Sequence, residues 1–230
     1  MVRLIATLFV VSLLTFLLVE QLPGDPILAI LPPEALDDLE NIERIRKELK
    51  LDDSVFTRYA RWVGDALQGD LGKSYITDQP VAEAIKDRIP VTIELALLAT
   101  IIAALFAIPI GALAAYREGG YFDRITSALT TAALSIPGFL AGIFFIWLFT
   151  LKFNWLPSTG WNRLSEKGLL ANLQTAILPA SALALAPLAI NARLIRADMI
   201  GTLKEDYILS ARAKGLRDRY ILMRLSLIHI

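Results

Sequence analysis

A chain of 230 residues that is 55% hydrophobic and 20% charged has the composition of a bilayer protein with aqueous loops, not of a soluble domain of that length. Its formal net charge of zero excludes a general attraction to nucleic acid or to acidic lipid. The absence of cysteine excludes disulfides and thiolate metal sites.

The charges are segregated along the chain. Residues 4–19, 95–116, 125–151 and 168–192 contain no Asp, Glu, Lys or Arg. A helix needs roughly 20 apolar residues to cross the hydrocarbon core. The last three runs reach that length alone; the first does so by taking in Arg3 and residues 20–22 at its edges. An all-α, polytopic bundle is therefore predicted, with a first span over 2–22, an external subdomain over 23–90 and a second span over 91–116. A cytoplasmic loop over 117–124, a third span over 125–151 and an external loop over 152–167 follow. A fourth span over 168–195 and a cytoplasmic loop over 196–224 complete the order.

Residues 1–19 have the outline of a signal peptide, but no small-x-small cleavage site follows: the next residues are Glu20-Gln21-Leu22-Pro23, and a retained first helix is expected. The 23–90 segment has helical periodicity. Leu39, Ile42, Ile45 and Leu49 form one apolar face, and Val55, Tyr59, Trp62, Val63 and Ala66 a second. Two short helices with so little core are expected to pack on each other and on the span ends. Within the segment, Gly72-Lys73-Ser74 invites a phosphate-loop reading. That loop needs a glycine five residues earlier, where Leu67 stands. No other stretch offers a phosphate loop, a metal-ligand cluster or a nucleophile–base pair, so no catalytic residue, metal or cofactor is expected.

Glu94 stands at the mouth of the second span, where solvation or a helix-start role is the expected account. Pro109, Pro137, Pro179 and Pro187 punctuate the spans. Each removes a backbone donor, and such breaks mark either kinked packing or a solute path. Small residues crowd 103–115 and 180–192, which lets helices approach closely.

Residues 193–224 carry eight basic side chains (Arg193, Arg196, Lys204, Arg212, Lys214, Arg217, Arg219 and Arg224) against the acidic Asp198, Glu205, Asp206 and Asp218. The positive-inside rule puts this segment, and with four spans the N-terminus, in the cytoplasm. The stretch 198–224 reads as helix, Gly215, then helix again, glycine permitting a sharp backbone turn. Composition leaves two readings open: a helix lying on anionic lipid, or a docking segment for another protein.

The ordered landmarks choose between them. They are Leu22-Pro23-Gly24-Asp25-Pro26, Gly69-Asp70-Leu71-Gly72 with Ser74, and Arg88-Ile89-Pro90 with Thr92, Glu94 and Leu95. Then come Ser135-Ile136-Pro137 with Phe139 and Gly142, Leu156-Pro157 with Gly160, and Ile177-Leu178-Pro179. Arg193 with Arg196, Glu205-Asp206-Tyr207 and Ala211-Arg212-Ala213-Lys214-Gly215 end the series. Over about residues 1–224 the chain resembles the permease subunits of dipeptide, oligopeptide and nickel ABC importers. The resemblance implies a subunit of the prokaryotic plasma membrane that is not itself an enzyme. Its implied partners are a second permease subunit, two ATP-binding subunits and an extracytoplasmic solute-binding protein.

It also implies that residues 207–215 form a coupling helix seated in a cleft of the ATPase. Glu205, Asp206, Tyr207, Ser210, Ala211, Arg212, Ala213, Lys214 and Gly215 are the coupling residues it points to. The Glu-Ala-Ala core usual in such loops reads Leu209-Ser210-Ala211 here. The solute stays open among peptides, nickel and oligosaccharides, and the alternative classes are an ion-coupled transporter or channel subunit and a structural membrane anchor. Family members continue past Arg224 with two more spans, giving six. Residues 225–230, Leu-Ser-Leu-Ile-His-Ile, match the translation of a sequencing-library adapter. They are expected to be a non-native tail on a truncated gene, and His229 carries no expected role.

Overall fold

The computed structural model of the chain describes residues 2–21, 27, 39–48, 51–74 and 76–226. The Leu22-Pro23-Gly24-Asp25-Pro26 landmark, Leu49 of the first external face and residues 227–230, with His229, lie outside the described residues. Among the described residues the regular structure is helical, apart from one bridge between Lys73 and Pro80. The chain divides into two compact units, Met1–Ile89 and Pro90–Ile230.

The first unit holds α1 (Val2–Glu20), α2 (Leu39–Glu48) and α3 (Val55–Leu67). Helix α3 starts where the Ser54 side chain accepts the Thr57 N–H at 3.3 Å, satisfying a donor that has no partner inside the helix. Its apolar face carries Tyr59, 7% exposed, onto α1. The Tyr59 ring stands edge-on to Phe9 and Phe16, with centroids 6.1 and 5.5 Å away. Its hydroxyl meets Ser12 Oγ at 2.8 Å, so the polar tip of a buried aromatic is satisfied.

Helix α4 (Val81–Tyr116) crosses the boundary between the units. The second unit continues with α5 (Tyr121–Ser135), α6 (Gly138–Phe145, running on as π-helical turns over Ile146–Lys152) and α7 (Leu164–Thr202). Helices α1, α4 and α7 are each long and apolar enough to cross a membrane. Helix α5 and the α6 stretch reach that length and hydropathy only when taken together, across a break bent by 104° that suits a broken span or a re-entrant loop.

Pro137 makes that bend. It forces Ile136 into extended backbone (φ −89°, ψ 119°), because the proline ring clashes with a helical residue before it. Pro109, Pro179 and Pro187 behave differently: they lie inside α4 and α7 without ending either helix. An additional break comes at Gly168, φ +77°, near the start of α7. The helix-start account of Glu94 does not hold. Helix α4 begins at Val81, so Glu94 lies well inside it, and its Oε1 is buried without a hydrogen-bond partner among the described residues.

Small residues let α4 and α7 approach closely, as their density suggested. Ala99, Ala103 and Ala184 form one buried cluster; Ala112, Ala115 and Met199 form another. Between them, a Cβ added at Gly111 would stand 2.7 Å from the Ala192 carbonyl oxygen and 2.9 Å from Ile195 Cβ. Neither atom moves without its backbone. Gly111→Val is therefore expected to cost about 1–3 kcal/mol by overpacking and to reduce the monodisperse, detergent-solubilised fraction. Gly142→Ala, whose nearest neighbour is Ala182 Cβ at 3.9 Å, is the matched control. Equal yields for the two variants would refute the close approach.

Candidate coupling site

The segment after α7 folds as α8 (Asp206–Ala213) and a short α9 (Asp218–Tyr220), which continues in π-helical turns over Ile221–Ser226. Glu205 precedes α8 in extended backbone, and its carbonyl accepts the N–H groups of Ile208 and Leu209 at 3.0 and 3.2 Å. Asp206 in the first turn and Arg212 in the last both oppose the helix dipole favourably.

Gly215 closes α8. Its φ is +76°, a left-handed conformation that glycine adopts without the Cβ penalty. Its N–H donates to the Arg212 carbonyl at 2.9 Å, and the Leu216 N–H donates to the Ala211 carbonyl at 3.2 Å. That pair of bonds is the Schellman closure, which satisfies carbonyls the helix end would leave without partners. Space is not what selects glycine, since nothing lies within 4 Å of an added Cβ; backbone conformation is.

One face of α8 is an anchor. Ile208 (0% exposed), Ala211 (7%) and Ile221 (1%) pack together, with Leu203 against them. Ala211 thus stands apart from the other predicted coupling residues: it is turned into the chain's own core by helical spacing from Ile208. Glu205, Asp206, Tyr207, Ser210, Arg212, Ala213, Lys214 and Gly215 are exposed. With them lie Leu209, 53% exposed, and Leu216, 41% exposed. Leu209 lies within the predicted coupling helix but, like Leu216, was not among the coupling residues named from the sequence.

Three tethers join this segment and the end of α7 to the turn between α4 and α5. Arg196 forks onto Asp123: Nε donates to Oδ1 and Nη2 to Oδ2, the second bond at 2.7 Å. Asp123 is 4% exposed at its side chain, Arg196 30%. The Gly119 N–H donates to the same carboxylate at 2.9 Å, so the turn, α5 and α7 share one charged centre. A two-point fork of this kind is among the strongest polar contacts available. Lys204 Nζ lies 3.4 Å from Glu118 Oε2, and the Tyr116 hydroxyl donates to Asp218 Oδ2 at 2.6 Å. Arg196 was noticed in the sequence for its charge; its partner, 73 residues away, was not.

An apolar groove of about 490 Å³ runs beside Ile110, Phe122, Leu129, Ile136 and Leu185. Thr126 and Thr130 also line it, the Thr130 hydroxyl donating to the Ser127 carbonyl.

Comparison with known proteins places the chain in a family. Residues 107–230 match the model of the binding-protein-dependent transport system inner membrane component, and residues 1–96 match the N-terminal model of such membrane components. A putative peptide transport system permease protein of Brucella abortus is 38% identical over 218 residues, which are 95% of this chain and 68% of that protein. The glutathione transport system permease protein GsiC of Escherichia coli K12 is 35% identical over 221 residues, 96% of this chain and 69% of that protein. Helices fit to span a membrane, an anchored and capped segment beyond the last of them, and these matches lead to one assignment: the chain belongs to the inner membrane components of binding-protein-dependent transport systems, the permease subunits of ABC importers.

Proposed function

We infer that the chain carries di- or oligopeptides inward, and that α8 is where it receives the motion of its ATPase. A permease of this family works with a solute-binding protein and an ATPase and does not itself hydrolyse ATP. The observation that carries the coupling reading is the combination at α8: a buried anchor of Ile208, Ala211 and Ile221 beneath an exposed face of Tyr207, Leu209, Ser210 and Lys214. The anchor holds the helix rigid, and the exposed face points away from that anchor. Asp123–Arg196, Glu118–Lys204 and Tyr116–Asp218 carry its displacement to α4, α5 and α7. Coupling requires that α8 bind the two ATPase states differently.

On this reading α8 and the N-terminus are cytoplasmic, the 23–90 region is external, and two ATPase subunits serve a pair of permease subunits. The names of the relatives support peptides as the solute class; a heterodimer with a second permease subunit is the arrangement expected from the resemblance.

The test is uptake by the assembled importer in liposomes. Uptake of a labelled dipeptide delivered by its binding protein is expected to need ATP inside, and to be unchanged when the proton gradient collapses at constant ATP. The expectation rests on the four charge-free runs, since ion-coupled carriers place ionisable groups within their spans; Glu94 lies in α4 ahead of the second run. Uptake driven by a pH gradient without ATP would overturn it.

A further inference from the structure

Helix α3 exposes Phe56 at 69% and Leu67 at 84%, large apolar side chains that its contact with α1 leaves uncovered. At 100° per residue, these two and Ala60 share one flank of α3. That flank borders the strip formed by Tyr59 and Trp62, which stack on each other and reach Phe16 of α1. Arg58, Arg61 and Asp65 fall on the opposite arc.

Helix α1 supplies the occupant. Among the described residues none of its membrane-length window is buried, and in a membrane component the apolar surface that α3 leaves bare is suited to lipid. The exposed flank of α3 extends it sideways. Ser12, which holds the Tyr59 hydroxyl, lies eight residues before Glu20, about 12 Å along the axis. Arg58 reaches Glu20 while the Tyr59 ring lies between Phe9 and Phe16, so α3 meets α1 below the level of Glu20. The charges are arranged for that depth. Arg58 Nη1 reaches Glu20 Oε1 at 2.5 Å, and Arg61 pairs with Asp53; paired charges cost less to bring toward hydrocarbon than single ones.

We propose that α3 is an in-plane interfacial helix, set at the headgroup–acyl boundary beside the Glu20 end of α1, with Phe56 and Leu67 among the acyl chains and Asp65 in water. Trp62, 40% exposed, is of the aromatic type that favours this boundary, and the two-faced pattern of α3 is that of an interfacial helix. The external subdomain is then held at the membrane by α3 as well as by its connections to the spans.

Because the chain has no cysteine, Phe56→Cys, Leu67→Cys and Asp65→Cys can each be spin-labelled without background in the full chain, reconstituted in phosphatidylethanolamine–phosphatidylglycerol liposomes. Collisions with oxygen, which concentrates among acyl chains, are expected to exceed collisions with a water-soluble nickel chelate severalfold at 56 and 67, and to fall below them at 65. Nickel dominating at 56 and 67 would place the flank in water and overturn the proposal. Exclusion of both reagents there would mean that protein covers it, and would overturn it equally. A second measurement leaves α3 untouched: with Trp147, Trp155 and Trp161 replaced by Phe, the fluorescence of Trp62 is expected to be quenched by lipids brominated near the headgroup. An unquenched Trp62 would also overturn the proposal.

Discussion

Asp123→Asn and Arg196→Gln, made singly, are each expected to destabilise the permease strongly and to abolish most uptake. Made together, they are expected to cost much less than the sum. Removing one partner of a buried pair leaves an uncompensated charge, at about 3–5 kcal/mol; removing both leaves none. Arg196 keeps 30% of its side chain exposed, which puts its uncompensated charge at the lower end of that range. Asp123, almost fully buried and also holding the Gly119 N–H, is the more damaging charge to strand, so Arg196→Gln is expected to be the worse single variant. Unfolding by SDS in mixed micelles, read for the four members of the cycle, checks this. A coupling at or above the top of the roughly 0.5–3 kcal/mol found for groups in direct contact is expected. Strictly additive single effects would mean the fork contributes nothing, and the tether between α5 and α7 would then lie elsewhere.

Gly215→Val is expected to uncouple the importer while leaving the chain inserted, and Gly215→Asn to keep most of the activity. The left-handed backbone at φ +76° costs an L-residue roughly 1–2 kcal/mol, more for a β-branched one. Asparagine enters that region far more readily. A valine there relaxes by giving up the two closing bonds to the Arg212 and Ala211 carbonyls, and the exposed face of α8 then loses its fixed direction. Three readings separate the outcomes: retention of the ATPase on purification, stimulation of its hydrolysis by loaded binding protein, and protease protection as the check on insertion. Valine and asparagine variants that both stimulate normally would remove α8 from the coupling pathway. If the segment were instead a helix resting on lipid, added apolar bulk would be tolerated or would tighten membrane binding. Ala211 is not a suitable probe for this purpose. It packs against Ile208 and Ile221, so enlarging it disturbs the anchor before it reaches any partner.

The chain's class was legible in one dimension because a membrane imposes a one-dimensional rule. Runs without charge over 95–116 and 168–192 have the length of spanning helices, about twice that of a barrel strand, and a helix pairs its backbone within itself in hydrocarbon. The landmarks identified the family, and the glycine at 215 announced a turn that φ +76° realises. What the order of residues left open was every matter settled by neighbours distant in the chain. Four prolines looked alike; only the tertiary context separates Pro137, where the helix bends by 104°, from Pro109, Pro179 and Pro187, which long helices absorb. Ala211 looked like its neighbours in the coupling motif until Ile221 turned back over it. Asp123 and Arg196 read as two isolated charges at the edges of apolar runs, because a pair separated by 73 residues has no periodicity to betray it. Local conformation and lipid solubility are properties of short stretches of sequence. Which charges meet, which small residues touch and which face is covered are properties of the packed chain.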